Sequence, residues 1–275
     1  MTQNVTLGPL VLSVPLLLAI ASYMLATFAG RRAGRESAVD IERQLLRMLV
    51  IALVAARAAF VLQFYDVYMK SPLDILNIRD GGWNALVGLG AAMAYAGEQL
   101  SRRAAIRKPL IIALGTGAAV WFAGALVLGA GSPSEVRMPS LSLVSVHGST
   151  VALSSFEGKP TVVNLWATWC PPCQREMPML QQAQAAHPEF HFIFLNQGES
   201  PQRVLEYLDA SKLNLRNVLL DTRSEAGSLL GHRALPTTLF FDARGRLVDT
   251  RLGELSEASL AERLATLYPS TTPRL

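Results

Sequence analysis

Two cysteines in 275 residues are too few to staple a fold of this length, so a disulfide-rich scaffold is excluded. Charge is scarce too. Only 17% of the residues are charged, against about 25% in average soluble domains. Histidine does not occur before residue 147, and the chain has no internal repeat and no low-complexity run. What is abundant is apolar side chain, 51% of the residues, which excludes intrinsic disorder. The formal charge of +4 is placed unevenly: residues 1–131 carry 12 Lys/Arg against 7 Asp/Glu, and residues 132–275 carry 13 against 14. A basic excess confined to the short loops of a hydrophobic half is a topology signal rather than a nucleic-acid footprint. The chain divides into a membrane half and a soluble half.

A helix needs about 20 mostly apolar residues to cross the bilayer core. Residues 7–29, 45–64 and 109–131 qualify, and the shorter, glycine-rich stretch 82–97 is a fourth candidate. The first segment lacks the basic n-region of a cleaved signal peptide, since Arg31, Arg32 and Arg35 follow its apolar run. Cations cluster after the first span (Arg31, Arg32, Arg35, Arg43) and after the third (Arg102, Arg103, Arg107, Lys108). The positive-inside rule puts those loops in the cytoplasm. With four spans both ends of the chain are expected outside, and the soluble half faces the periplasm, or the outer surface of a single-membrane cell, giving a multi-pass protein of the inner (cytoplasmic) membrane.

The expected organisation is an all-α membrane domain over 1–131, a linker over 132–138 and an α/β domain over 139–269. Within the last, a hairpin is expected at 141–146 and 150–153, and strands at 161–167, 191–196, 217–220, 237–241 and 246–252. Helices are expected near 170–186, 201–210 and 256–267.

Both cysteines lie in Cys170-Pro171-Pro172-Cys173, after a strand and at the start of a helix, the setting of a redox CxxC. Unpaired N–H groups at a helix start carry roughly +0.5 charge and stabilise a thiolate on the first sulfur. Such motifs lower the cysteine pKa from near 8.5 to about 3.5–7.5. Cys170 is the expected nucleophile and Cys173 the resolving thiol. A zinc site would need two more ligands, and His147, His187, His191 and His232 lack finger-like spacing. A structural disulfide across two residues closes almost no loop and stabilises little. Inert cysteines would leave Trp166, Trp169 and the double proline unexplained.

The run Gly158-Lys159-Pro160, Val162 through Cys173, Glu176-Met177-Pro178 and Leu235 through Asp242 with Gly245 resembles TlpA/ResA-type thioredoxin-fold proteins over about residues 139–269. The resemblance implies a thioredoxin-like domain that acts as an extracytoplasmic, membrane-tethered thiol–disulfide oxidoreductase, commonly a reductase in cytochrome c maturation. It implies a cis peptide bond before Pro236, beside the CxxC, which would leave Leu235 free to pair with an extended client. Trp169, Pro171, Pro172, Leu235 and Thr237 are the expected rim of that groove. Thioredoxin has an aspartate where this chain has Asn164. The TlpA/ResA group instead has a glutamate three residues after the second cysteine, matched here by Glu176, which is expected to exchange a proton with Cys173.

Residues 8–131, with Ala56-Arg57-Ala58-Ala59-Phe60-Val61-Leu62 and Asp80-Gly81-Gly82-Trp83-Asn84, weakly resemble the front of prolipoprotein diacylglyceryl transferases. Leu86 stands where that family has a histidine, and the family's later arginine-bearing portion is missing. An intramembrane arginine is costly, so Arg57 is a functional candidate. It could hold an anionic lipid headgroup, pair with Asp66 or Asp80, or snorkel outward. With no cysteine outside residues 170 and 173, the spans cannot relay thiol electrons.

The reading is therefore a disulfide reductase using its own cysteine pair and no other cofactor or metal. Its expected partners are periplasmic protein thiols and disulfides, a separate membrane reductase of the DsbD or CcdA kind, and membrane lipids, without nucleic acid. The alternatives are the same fold running as an oxidase or isomerase, or a lipid-binding or lipid-modifying membrane protein with an accessory redox domain.

Overall fold

The computed structural model describes residues 4–7, 10–35, 40–130, 136–232 and 234–267. Its contacts divide the chain into two units, one of Thr2–Ile75 with Gly82–Pro133, the other of Ser134–Leu275 with Leu76–Gly81.

The first unit opens on a hairpin, β1 (Asn4–Leu7) against β2 (Leu10–Ser13), followed by α1 (Val14–Gly34). The helix expected from residue 7 thus begins seven residues later. Pro9 has no N–H to give to a helix interior, whereas Pro15 sits in the first turn, where that N–H is not needed. Then come α2 (Ile41–Gln63), the short α3 (Tyr65–Lys70), a 3₁₀ turn (Pro72–Leu76), α4 (Ala85–Arg102) and α5 (Ala104–Ala130); a second 3₁₀ turn, Ile78–Asp80, falls in the Leu76–Gly81 segment assigned to the other unit. Asp40 and Asn84 start α2 and α4 by accepting from the backbone N–H of Arg43 and Val87.

Among the described residues, Val14–Gly34, Ile41–Gln63 and Ala104–Leu128 are long and apolar enough to cross a membrane. The fourth expected span does form a helix, α4. It stays outside this set because its last turns carry Glu98, Gln99 and Arg102. Small residues let these helices approach closely. A Cβ at Gly88 of α4 would lie 2.8 Å from the Ala52 carbonyl oxygen of α2, and one at Gly124 of α5 would lie 2.3 Å from Leu18 of α1.

The second unit is a seven-stranded sheet in the order β4-β3-β7-β6-β5-β8-β9, flanked by helices. The strands are β3 (Ser142–Ser145), β4 (Thr150–Ala152), β5 (Thr161–Trp166), β6 (His191–Gln197), β7 (Val218–Asp221), β8 (Thr237–Phe241) and β9 (Leu247–Leu252). The helices are α6 (Pro171–Ala186), α7 (Pro201–Ala210), α8 (Glu225–Leu229) and α9 (Glu257–Leu267). β5, β6 and β7 run parallel, and β8 pairs antiparallel with β5. Strands buried on both faces read as near-continuous hydrophobic runs, and here alternate residues feed two cores. Val162, Trp166, Phe192, Phe194 and Phe240 pack with Leu180 of α6, Val204 of α7 and Leu260 of α9. Val163, Leu165, Ile193, Leu195, Leu239 and Phe241 face Leu153, Phe156 and Ala226. Mixed parallel pairing at the centre, with the CxxC following β5, is the thioredoxin-like arrangement.

Two features depart from expectation. Part of the expected linker is sheet-bound: Leu247 N–H donates to the Val136 carbonyl, Met138 N–H donates to the Gly245 carbonyl, and Arg137 bridges Arg246. The rest of that segment, residues 131–135, lies outside the described residues. The unforeseen helix α8 forms because the carboxylate of Asp221 accepts from the backbone N–H groups of Glu225, Ala226 and Gly227 at 2.8, 2.9 and 3.4 Å.

Candidate active site around the Cys170–Cys173 disulfide

Cys170 ends the turn after β5 and is the N-cap of α6; Cys173 lies one turn on. The two sulfurs are bonded, with Cα atoms 5.3 Å apart. Both residues are buried in this oxidised form, Cys170 at 3% exposure and Cys173 at 0%. Pro171 and Pro172 occupy the first helical positions and have no N–H. The first N–H of the helix is therefore that of Cys173, and it donates to Cys170 Sγ at 3.4 Å. The next, on Gln174, donates to the Cys170 carbonyl. The double proline leaves one backbone dipole aimed at the first sulfur, an arrangement that favours negative charge there.

The Leu235–Pro236 peptide bond is cis, as the family resemblance implies. The Pro236 carbonyl accepts from Gly253 N–H at 2.9 Å, which ties this loop to the end of β9. Leu235 is half-buried, Pro171 exposed, Pro172 half-buried and Trp169 exposed to 62%. Thr237 does not belong on the expected rim. It is fully buried, and its hydroxyl donates to the Ala234 carbonyl at 2.6 Å, bracing the proline loop from within.

Glu176 lies three residues beyond Cys173, on the same side of α6. It is only 2% exposed, so it is a buried carboxyl rather than a solvated one. Asn164 Nδ2 donates to its Oε1 at 2.8 Å, and Leu255 N–H donates to its Oε2 at 2.9 Å. Asn164 also donates to Thr238 Oγ1 at 3.1 Å. Burial pushes the Glu176 pKa up to about 7 against these two hydrogen bonds, which favour the charged form. Asn164 stood out in the sequence only as a departure from thioredoxin; Leu255 acts through its backbone and leaves no side-chain signal. Nearby on α6, Arg175 is exposed and forked onto Glu254, with Nη2 2.6 Å from Oε2.

Arg57, in the interior of α2, belongs to the other unit. It is 9% exposed and donates to the carbonyls of Asp74, Ile75 and Gly82 at 2.9–3.1 Å. Its guanidinium also lies 5.2 Å from the Tyr68 ring centroid and 5.9 Å from that of Trp83. These contacts close the segment after α3 onto α2.

Residues 133–264 match the Redoxin family model. The chain is 29% identical over 129 residues to thiol-disulfide oxidoreductase ResA of Halalkalibacterium halodurans, covering 46% of this chain and 73% of that protein. It is 27% identical over 155 residues to the sporulation thiol-disulfide oxidoreductase A of Bacillus subtilis, covering 53% and 89%. It is 33% identical over 134 residues to the thiol:disulfide interchange protein DsbE of Pseudomonas fluorescens, covering 47% and 72%. A bonded cysteine pair at a helix start and this degree of identity lead to one conclusion: the chain belongs to the ResA/DsbE-type thiol–disulfide oxidoreductases.

Proposed function

We propose that this protein is a membrane-anchored disulfide reductase whose redox domain works outside the cytoplasmic membrane, in the periplasm. The observation that carries the reading is a buried carboxyl, Glu176, poised near neutrality on the helix that bears both cysteines. In the reduced form, the Cys170 thiolate attacks one sulfur of a client disulfide. A mixed disulfide forms and the client's other sulfur leaves as a thiolate. Cys173 then gives its proton to the Glu176 carboxylate and attacks Cys170. The Cys170–Cys173 disulfide forms and the second client thiol is released. Two electrons pass to the client, and a separate reductase of the DsbD or CcdA kind returns them. A carboxyl near 7 suits this step, because it is part-ionised at neutral pH and lies one helical turn beyond Cys173.

The client side of the site is the cis-proline loop, where half-buried Leu235 can offer backbone groups to an extended segment. The names of the relatives, oxidoreductase and interchange protein, fit such protein clients, and their ResA and DsbE types fit a role in cytochrome c maturation. The helical unit serves as the anchor among membrane lipids. Arg57 spends its N–H groups on backbone carbonyls, which favours an organising role over a lipid headgroup site or lipid transfer.

The deciding measurement is the equilibrium potential of the Cys170–Cys173 pair against glutathione. A value near thioredoxin's, about −270 mV, supports reduction; one near −120 mV would make the protein an oxidase.

A further inference from the structure

The turn between β5 and Cys170 is held at Thr168 by side chains from separate segments of the chain. Glu199, just beyond β6, is buried and faces Thr168 with both carboxylate oxygens. Thr168 N–H donates to Oε2 at 2.7 Å, and the Thr168 hydroxyl donates to Oε1 at 2.6 Å. Asn196 Nδ2, at the end of β6, donates to Oε2 at 2.7 Å. Arg203 Nε, one turn into α7, donates to Oε1 at 3.1 Å and to Thr168 Oγ1 at 3.2 Å. From α6, Gln174 Nε2 donates to the Thr168 carbonyl at 2.5 Å. Every polar group of Thr168 is thereby engaged. Burial alone would favour a protonated Glu199, but the donors on Thr168, Asn196 and Arg203 outweigh it and hold the carboxyl below its usual range. The acceptor is a carboxylate at neutral pH, and hydrogen bonds to charged groups are the stronger kind.

The next residue, Trp169, is exposed and immediately precedes Cys170 in the chain. A turn this firmly held beneath an exposed aromatic has a use that stability does not require. We infer that Glu199 is a positioning residue for client exchange: by clamping Thr168 it fixes the backbone that presents Trp169 and Cys170, so an extended protein client meets a preformed rim. The inference rests on Cys170 as the attacking sulfur. Without the clamp, a client must immobilise the turn on binding, and that ordering weakens the encounter. A small disulfide, which reaches the sulfur without leaning on Trp169, is spared this cost.

The full chain in detergent, reduced beforehand, is reacted with a disulfide-bonded peptide and separately with a small aromatic disulfide. Cys170→Ser is the control: if it exchanges as the native chain does, the thiol reading itself fails, whatever the Glu199 variants do. Expected for Glu199→Ala is a roughly tenfold lower rate with the peptide and less than about twofold with the small disulfide. Thr168→Val keeps the side-chain shape, loses the hydroxyl, and should give a smaller loss of the same kind. The double variant should lose less than the sum of the two single losses, because the substitutions share the bond between the Thr168 hydroxyl and Glu199 Oε1. Equal losses on both disulfides, or full peptide rates in Glu199→Ala, overturn the inference. If Glu199→Ala does not fold, Thr168→Val decides alone: a folded Thr168→Val chain with an unchanged peptide rate overturns the inference, and a peptide-specific loss sustains it.

Discussion

The side-chain amide of Asn164 on β5 donates to the carboxyl of Glu176 on α6 across 2.8 Å, joining the central strand to the helix that carries the cysteines. Thioredoxin has an aspartate at the Asn164 position. Here the amide supplies a donor to the helix carboxyl instead of a second charge. Two carboxylates in that space would repel, and one of them would hold its proton well above neutrality.

Glu176 should make the oxidised protein less stable as the pH rises. Its folded pKa of about 7 lies above the ordinary 4.5, so the folded chain holds a proton that the unfolded chain releases. The stabilisation is complete below about pH 4.5 and is lost towards pH 7. The whole change is about 3 kcal/mol. Glu199 and Asp242, whose folded pKa values are lowered, act with the opposite sign, so the readout is the difference between the native chain and Glu176→Gln. Hydrogen exchange of β5 and α6 amides from pH 4.5 to 8 should show the slope shrinking in the variant. A slope identical in both would dismiss the raised pKa.

Asn164→Ala removes a donor that favours the ionised carboxyl. The Glu176 pKa should rise further, moving the pH midpoint of mixed-disulfide resolution upward. The lost buried hydrogen bond should cost about 1–3 kcal/mol of stability. Infrared titration of the Glu176 carboxyl measures the first effect and thermal unfolding the second. An unmoved carboxyl band would separate Asn164 from the titration.

Cys173→Ser should trap the mixed disulfide between Cys170 and a client, because the resolving sulfur is gone, whereas Cys170→Ser should trap none. Non-reducing gels followed by mass spectrometry of the linked peptides give the answer. Adducts through Cys173 in the Cys170→Ser chain would reverse the assignment of the two sulfurs.

Arg57→Ala strips the donor from the carbonyls of Asp74, Ile75 and Gly82. A buried charge-assisted bond is worth about 1.5–3 kcal/mol, so the detergent-solubilised chain should melt measurably lower. Arg57→Lys, a point donor without the planar fork, should recover part of the loss. Retention of anionic lipid should be unchanged in both variants. A loss of lipid with native thermal stability would instead favour a headgroup site.

Local pattern carried much of this architecture. A hydrophobic run on β5, two prolines that open a helix, and cysteines on either side of them already imply a thiolate at a helix start, because capping and dipole effects act within one turn. The two-faced strands and the apolar spans follow from periodicity in the same way. What needed the fold were the relationships that skip along the chain. Glu176 takes its hydrogen bonds from residues 12 positions before it and 79 after it, and its pKa comes from burial that no local spacing encodes. Thr237 turns inward, and Arg57 finds backbone carbonyls, which look alike at every position in a sequence. Sequence determined which groups could react. Tertiary packing decided their dielectric surroundings and partners, because desolvation and hydrogen-bond geometry exist only once distant segments are brought together.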